Sequence, residues 1–111
     1  MATYTPVRLA GPGQLTTSAT SVYTVGSGKS AVVKQMIFSN TTSSASTVTA
    51  HVVPVSGSAT AANGIIYNLA IGPYSQLIWS GDIPLATGEQ IYLLAGAGTT
   101  VTYIVSGIEI S

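Results

Sequence analysis

The segment Val101-Thr-Tyr-Ile-Val-Ser-Gly-Ile-Glu-Ile110 decides the fold class. Its β-branched and aromatic residues suit a pleated sheet. Alternation puts Val101, Tyr103 and Val105 on one side and Ile104, Ile108 and Ile110 on the other. A strand with one face in water alternates apolar with polar residues, and here both sides are apolar. The strand is therefore central. Its second side is covered either by a loop of the same chain or by a neighbouring subunit, and both readings stay open at this point.

Working outward, the same strand-type composition recurs at 90–95, 83–85, 75–80, 65–71, 47–55, 30–40, 21–25 and 4–9. Turn chemistry separates these runs: Gly26-Ser27-Gly28, Asn40-Thr41-Thr42-Ser43-Ser44, Gly72-Pro73, Gly81-Asp82, Ala86-Thr87-Gly88 and Gly96-Ala97-Gly98. Residues 56–64 are small and polar and read as a loop. No helical stripe survives the intervening Gly, Pro and Ser/Thr clusters. The expected architecture is a small antiparallel β-sandwich, jelly-roll-like, of about eight strands. Gly11-Pro12-Gly13 sets off residues 1–14 as an extended amino-terminal arm or edge strand, leaving 15–111 as the sandwich domain.

Composition narrows the function. At 111 residues the chain makes one domain. Only 5% of it is charged, against roughly 25% in an average soluble chain. Arg8, Lys29 and Lys34 are too few for phosphate-driven nucleic-acid binding or for a polybasic membrane contact. No apolar run reaches the ~18 residues of a transmembrane helix, and no secretion signal opens the sequence. With no cysteine there are no disulfides and no thiolate chemistry. Zero net charge with 29 Ser and Thr describes either a hydroxyl-rich, uncharged polar face or a surface covered by copies of this chain or by another protein.

Motifs for chemistry fail on context. Gly26-Ser27-Gly28-Lys29-Ser30 lacks the upstream glycine of a phosphate loop (Tyr23 stands there), and a strand follows where a helix is needed. Gly96-Ala97-Gly98 lacks the third glycine of a dinucleotide fingerprint. His51 and Asp82 are the sole His and Asp, and no nucleophile elbow accompanies them. Asp82, Glu89 and Glu109 have no spacing that suggests paired catalytic carboxylates or a metal site. No enzyme activity, cofactor or metal is expected. Asn40-Thr41-Thr42 matches a glycosylation sequon, which the absent signal leaves unused. Trp79, beside Leu77 on one face, is expected as a core anchor, with a sugar-stacking platform as the rival.

Two stretches carry a resemblance: Leu77-Ile-Trp-Ser-Gly-Asp-Ile-Pro-Leu-Ala-Thr-Gly-Glu-Gln-Ile-Tyr92, and Tyr23-Thr-Val-Gly-Ser-Gly-Lys-Ser-Ala-Val-Val-Lys-Gln-Met-Ile-Phe-Ser-Asn40. With the Ser-Gly-Ile-Glu-Ile ending, they resemble small all-β virion structural proteins of tailed bacteriophages. The resemblance implies a head decoration (cement) protein or a tail component. Such a protein would be made in the host cytoplasm and built into the virion as a homo-oligomer, a trimer favoured, against the major capsid or another virion protein. A carbohydrate- or receptor-binding module of a tail fibre is the alternative. The expected subunit or capsid contacts are Tyr4, Val7, Leu9, His51, Ile104, Ile108 and Ile110. The arm, residues 2–14, is expected to offer a neighbour an extra strand.

Overall fold

The computed structural model describes residues 3–111; Met1 and Ala2, the first residues of the expected arm, lie outside them. Eight strands follow one another: β1 (Tyr4–Gln14), β2 (Thr20–Thr24), β3 (Ser30–Asn40), β4 (Ser46–Val53), β5 (Gly64–Ile71), β6 (Gln76–Leu85), β7 (Gln90–Ala95) and β8 (Val101–Ile110). One 3-10 turn, Ala61–Asn63, precedes β5. Two four-stranded sheets result, in the orders β1-β8-β3-β6 and β2-β7-β4-β5. All pairings are antiparallel.

The order has a simple origin. In a long hairpin, β1 pairs with β8, β2 with β7, β3 with β6 and β4 with β5. Rolling it up sends alternate pairs to opposite sheets and brings β8 beside β3 and β7 beside β4. That is a jelly roll.

Two boundaries differ from the sequence pattern. Gly81-Asp82, read as a turn between two short strands, is an irregularity inside the single strand β6. It lies opposite the register shift between Val33 and Gln35. Residues 10–14 continue β1 past Leu9, because a register shift before Ala10 absorbs Leu9 and a second one after it absorbs the Gly11-Pro12 irregularity. Residues 4–14 thus lie along β8 of their own chain, as the edge strand of the first sheet.

The core fills the space between the sheets. Val33, Met36 and Phe38 of β3, Val101 and Val105 of β8 and Leu85 of β6 meet Val48 and Ala50 of β4, Ile66 and Ile71 of β5, and Ile91, Leu93 and Ala95 of β7. Trp79 packs against this cluster from inside, as a core anchor. Asn40 is the most deeply buried polar residue among the described residues. Its amide donates to the carbonyls of Ser44, Ile71 and Gly72, and its oxygen accepts from the Thr42 backbone and hydroxyl. Asn40 therefore ties the β3–β4 connection to the end of β5, and its amide is occupied and buried.

One end of the sandwich is closed by a polar link. Glu109, on the inner side of β8, accepts a hydrogen bond from the Tyr23 hydroxyl at 2.8 Å and sits 3.8 Å from Lys29 Nζ. Burial, then the hydrogen bond to Glu109 and its negative charge, push the Tyr23 hydroxyl well above the usual tyrosine range. A raised folded-state pKa stabilises the fold below the unfolded value of about 10 and loses that contribution as pH rises further. Above pH ~10 the thermal midpoint of the protein should therefore fall more steeply than that of Tyr23→Phe. At neutral pH the variant should be about 1 kcal/mol less stable, for the lost hydrogen bond. Parallel alkaline melting curves for the two proteins would disprove the link.

Candidate interaction surface

The outer side of the β1-β8-β3-β6 sheet is the most distinctive surface. Register places its side chains in rows that run across the strands. One row is Pro6, Ile108, Val32 and Pro84; another is Ile104, Ile37 and Ile78; Tyr4 and Ile110 stand beyond the first. Ile78 is 54% exposed and Tyr4 66%. Ile37, Ile104, Ile108 and Ile110 are half-buried. Between the two apolar rows lies a polar one: Arg8, Ser106, Gln35 and Ser80. The Lys34–Asp82 ion pair joins it at the bulge.

The opposite sheet is treated differently. Thr49, His51 and Val53 alternate to its outer side, yet all three are buried. His51, 5% exposed, makes a 2.9 Å hydrogen bond through Nδ1 to Asn63 Oδ1 and meets the edge of the Tyr67 ring. Because Asn63 Oδ1 also accepts from the Thr60 N–H while Asn63 Nδ2 donates to Ser58, His51 Nδ1 is the donor in that bond. The β4–β5 connection is thereby pinned over the outside of β4. The molecule extends 49 × 26 × 19 Å. The shortest dimension holds two sheets about 10 Å apart with their side chains and no third full layer. The inner side of β8 is core, and among the described residues its outer Ile104, Ile108 and Ile110 stay only half-buried.

Of the residues expected from sequence as contacts, Tyr4, Ile104, Ile108 and Ile110 share this bare face. Val7 and Leu9 do not. Val7 stands opposite the buried Gly107, and Leu9 packs against the core. His51 belongs to the other sheet. It is also remote from Asp82, which pairs with Lys34 on the far side of the sandwich. Val32, Ile37, Ile78, Pro6 and Pro84 complete the face and were not expected.

The edges of this sheet are poor places for strand addition. β1 carries Pro6, Pro12 and two register shifts; β6 carries Pro84 and the Gly81-Asp82 irregularity. Proline removes an N–H and a bulge turns the edge away. A partner of this sheet is therefore favoured to approach face-on.

No family model and no curated protein matches the sequence. Among solved structures, the fold is similar to a chain in the structure of infectious bursal disease virus, Gx strain. The TM-score is 0.55 at 10% identity, over 98% of this chain and 31% of that one. A chain in the structure of the Gt strain of the same virus aligns with a TM-score of 0.47 at 8% identity, again over 98% and 31%. This chain thus spans about a third of the length of the chains it matches. The first likeness shows the same sandwich fold.

Proposed function

We propose that this chain is a non-enzymatic virion structural protein, and within that class a decoration protein that assembles as a homo-oligomer on the capsid of a tailed bacteriophage. The observation that carries the reading is the bare outer face of the β1-β8-β3-β6 sheet. Two apolar rows with one charged residue at the edge and one internally neutralised ion pair form a surface whose exposure to water is unfavourable, by about 25 cal/mol per Å² of apolar area. Such a face acts by being covered. The fold shared with a chain of a virus structure supports the class, and the resemblance of the 23–40 and 77–92 stretches supports a tailed bacteriophage, as a head decoration protein or a tail component. Trp79 packs against the core, which weighs against it as a sugar-stacking platform for the tail-fibre alternative.

The test is mass spectrometry of gradient-purified virions whose genome encodes this sequence, followed by gold labelling of the protein. The expected result is many copies per particle, with label on the head. Absence from purified virions, or label confined to the tail with binding on a glycan array, would overturn the reading.

A further inference from the structure

We infer that the bare face of the β1-β8-β3-β6 sheet is occupied by a second copy of this chain, related by a two-fold axis parallel to the strands. The inference adds an occupant and an orientation to the reading of this face as a covered surface, and it does not depend on the virion assignment.

The size of the face fits. Ten residues of β8 and four strands span about 33 by 19 Å at the usual rise and spacing. That is about 600 Å² per copy and about 1,200 Å² for the pair, the lower end of a standard stable interface. Two such sheets can stack face to face with their strands within about 30° of parallel.

The pattern then selects the axis. A two-fold along the strands lays β1 over the partner's β6 and β8 over the partner's β3, with every row at the height of its own copy. The row of Ile104, Ile37 and Ile78 meets itself, and so does the row of Pro6, Ile108, Val32 and Pro84. Arg8, which has no ion-pair partner among the described residues, comes to lie over Ser80 of the second copy, beside the Asp82 of that copy, and the reverse holds at the other rim. An axis along the rows would instead stack β1 on β1 and set Arg8 against Arg8. Rim charges add little affinity, but they fix register and reject the wrong orientation. A single self-complementary face closes as a pair; a trimer needs two different contact surfaces on each copy.

The absence of cysteine makes the arrangement directly testable by cross-linking. The Arg8→Cys and Ser80→Cys proteins, mixed and treated with a short bismaleimide, should form a covalently linked dimer containing one of each. Neither should cross-link with itself. Identical positions lie on opposite rims, about 14 Å or more apart across the sheet on top of the ~10 Å between the two sheets, beyond the reach of such a linker. Sedimentation equilibrium of the unmodified chain should give twice 11.2 kDa. Ile104→Asp should raise the dissociation constant at least ~30-fold with an unchanged circular dichroism spectrum. A mass of one or three copies, or self-cross-linking of Arg8→Cys, overturns the inference. Because these are solution measurements, their failure leaves attachment to particles standing, whereas absence from virions defeats only the functional reading.

Discussion

Phe38→Ala should lower the unfolding free energy by about 3–5 kcal/mol, the cost of emptying a fully packed aromatic site. The adjacent Ile37→Ser should cost the monomer no more than about 1.5 kcal/mol. The two residues are neighbours in β3 and similarly apolar, but they point to opposite sides of the sheet. Phe38 is 0% exposed, in the middle of the space between the sheets. Ile37 stands on the bare face between Ile104 and Ile78, where its loss opens no closed cavity. The check is urea denaturation at low protein concentration, where association adds nothing to stability. Equal losses for the two variants would mean that both sides of β3 are core and that the face is not free.

Gly107→Ala should be nearly as severe, at about 3 kcal/mol or more. Gly107 is buried in β8 opposite Val7 of β1 and Val33 of β3. A Cβ there would fall far inside van der Waals contact of the Val32 carbonyl oxygen and 3.1 Å from a methyl of Leu9. The first of these is backbone held by two neighbouring strands, so it cannot move aside without breaking the ladder, and overpacking of this type carries the largest penalties. Gly98→Ala is the control. Nothing lies within 4 Å of its added Cβ, and the change should stay within about 0.5 kcal/mol. A thermal melt of Gly107→Ala that matched the unmodified protein would contradict the register of β3 and β8.

The sandwich was legible because its signals are local. Alternation along Val101–Ile110 separated the core side of β8 from the outer side correctly, and turn residues marked most strand ends. What stayed hidden depends on pairing. In Ala31-Val-Val-Lys-Gln-Met-Ile-Phe38, strict alternation from Ala31 and Val33 would send Gln35 and Ile37 inward. Lys34 is an extra residue against β8, so the parity flips and Met36 and Phe38 go inward instead. Ile37 reaches the outer face only because of that bulge, and no property of the strand alone reveals it. Asp82 misled for a related reason: Gly-Asp is turn chemistry, and here it serves a bulge that faces Lys34. His51 does alternate to the outside of its strand as read, but a connection far along the chain lies over it. Burial by a loop is a tertiary fact. The six charges follow the same logic. Two pairs, Lys29–Glu109 and Lys34–Asp82, neutralise each other. Glu89 accepts the Ala86 N–H inside its own turn, which leaves Arg8 as the one charge aimed outward from the bare face.

Covering of the outer side of the β1-β8-β3-β6 sheet by another molecule should show in its accessibility to a thiol reagent. A single thiol introduced by Ile37→Cys, in a chain that has no other, reports on it directly through its labelling rate at increasing protein concentration. Leu69→Cys, on an exposed position of β5, is the reference. Labelling at position 37 should slow at least tenfold as concentration rises while position 69 stays fast. Equal and concentration-independent rates at the two positions would show that the face remains open to water.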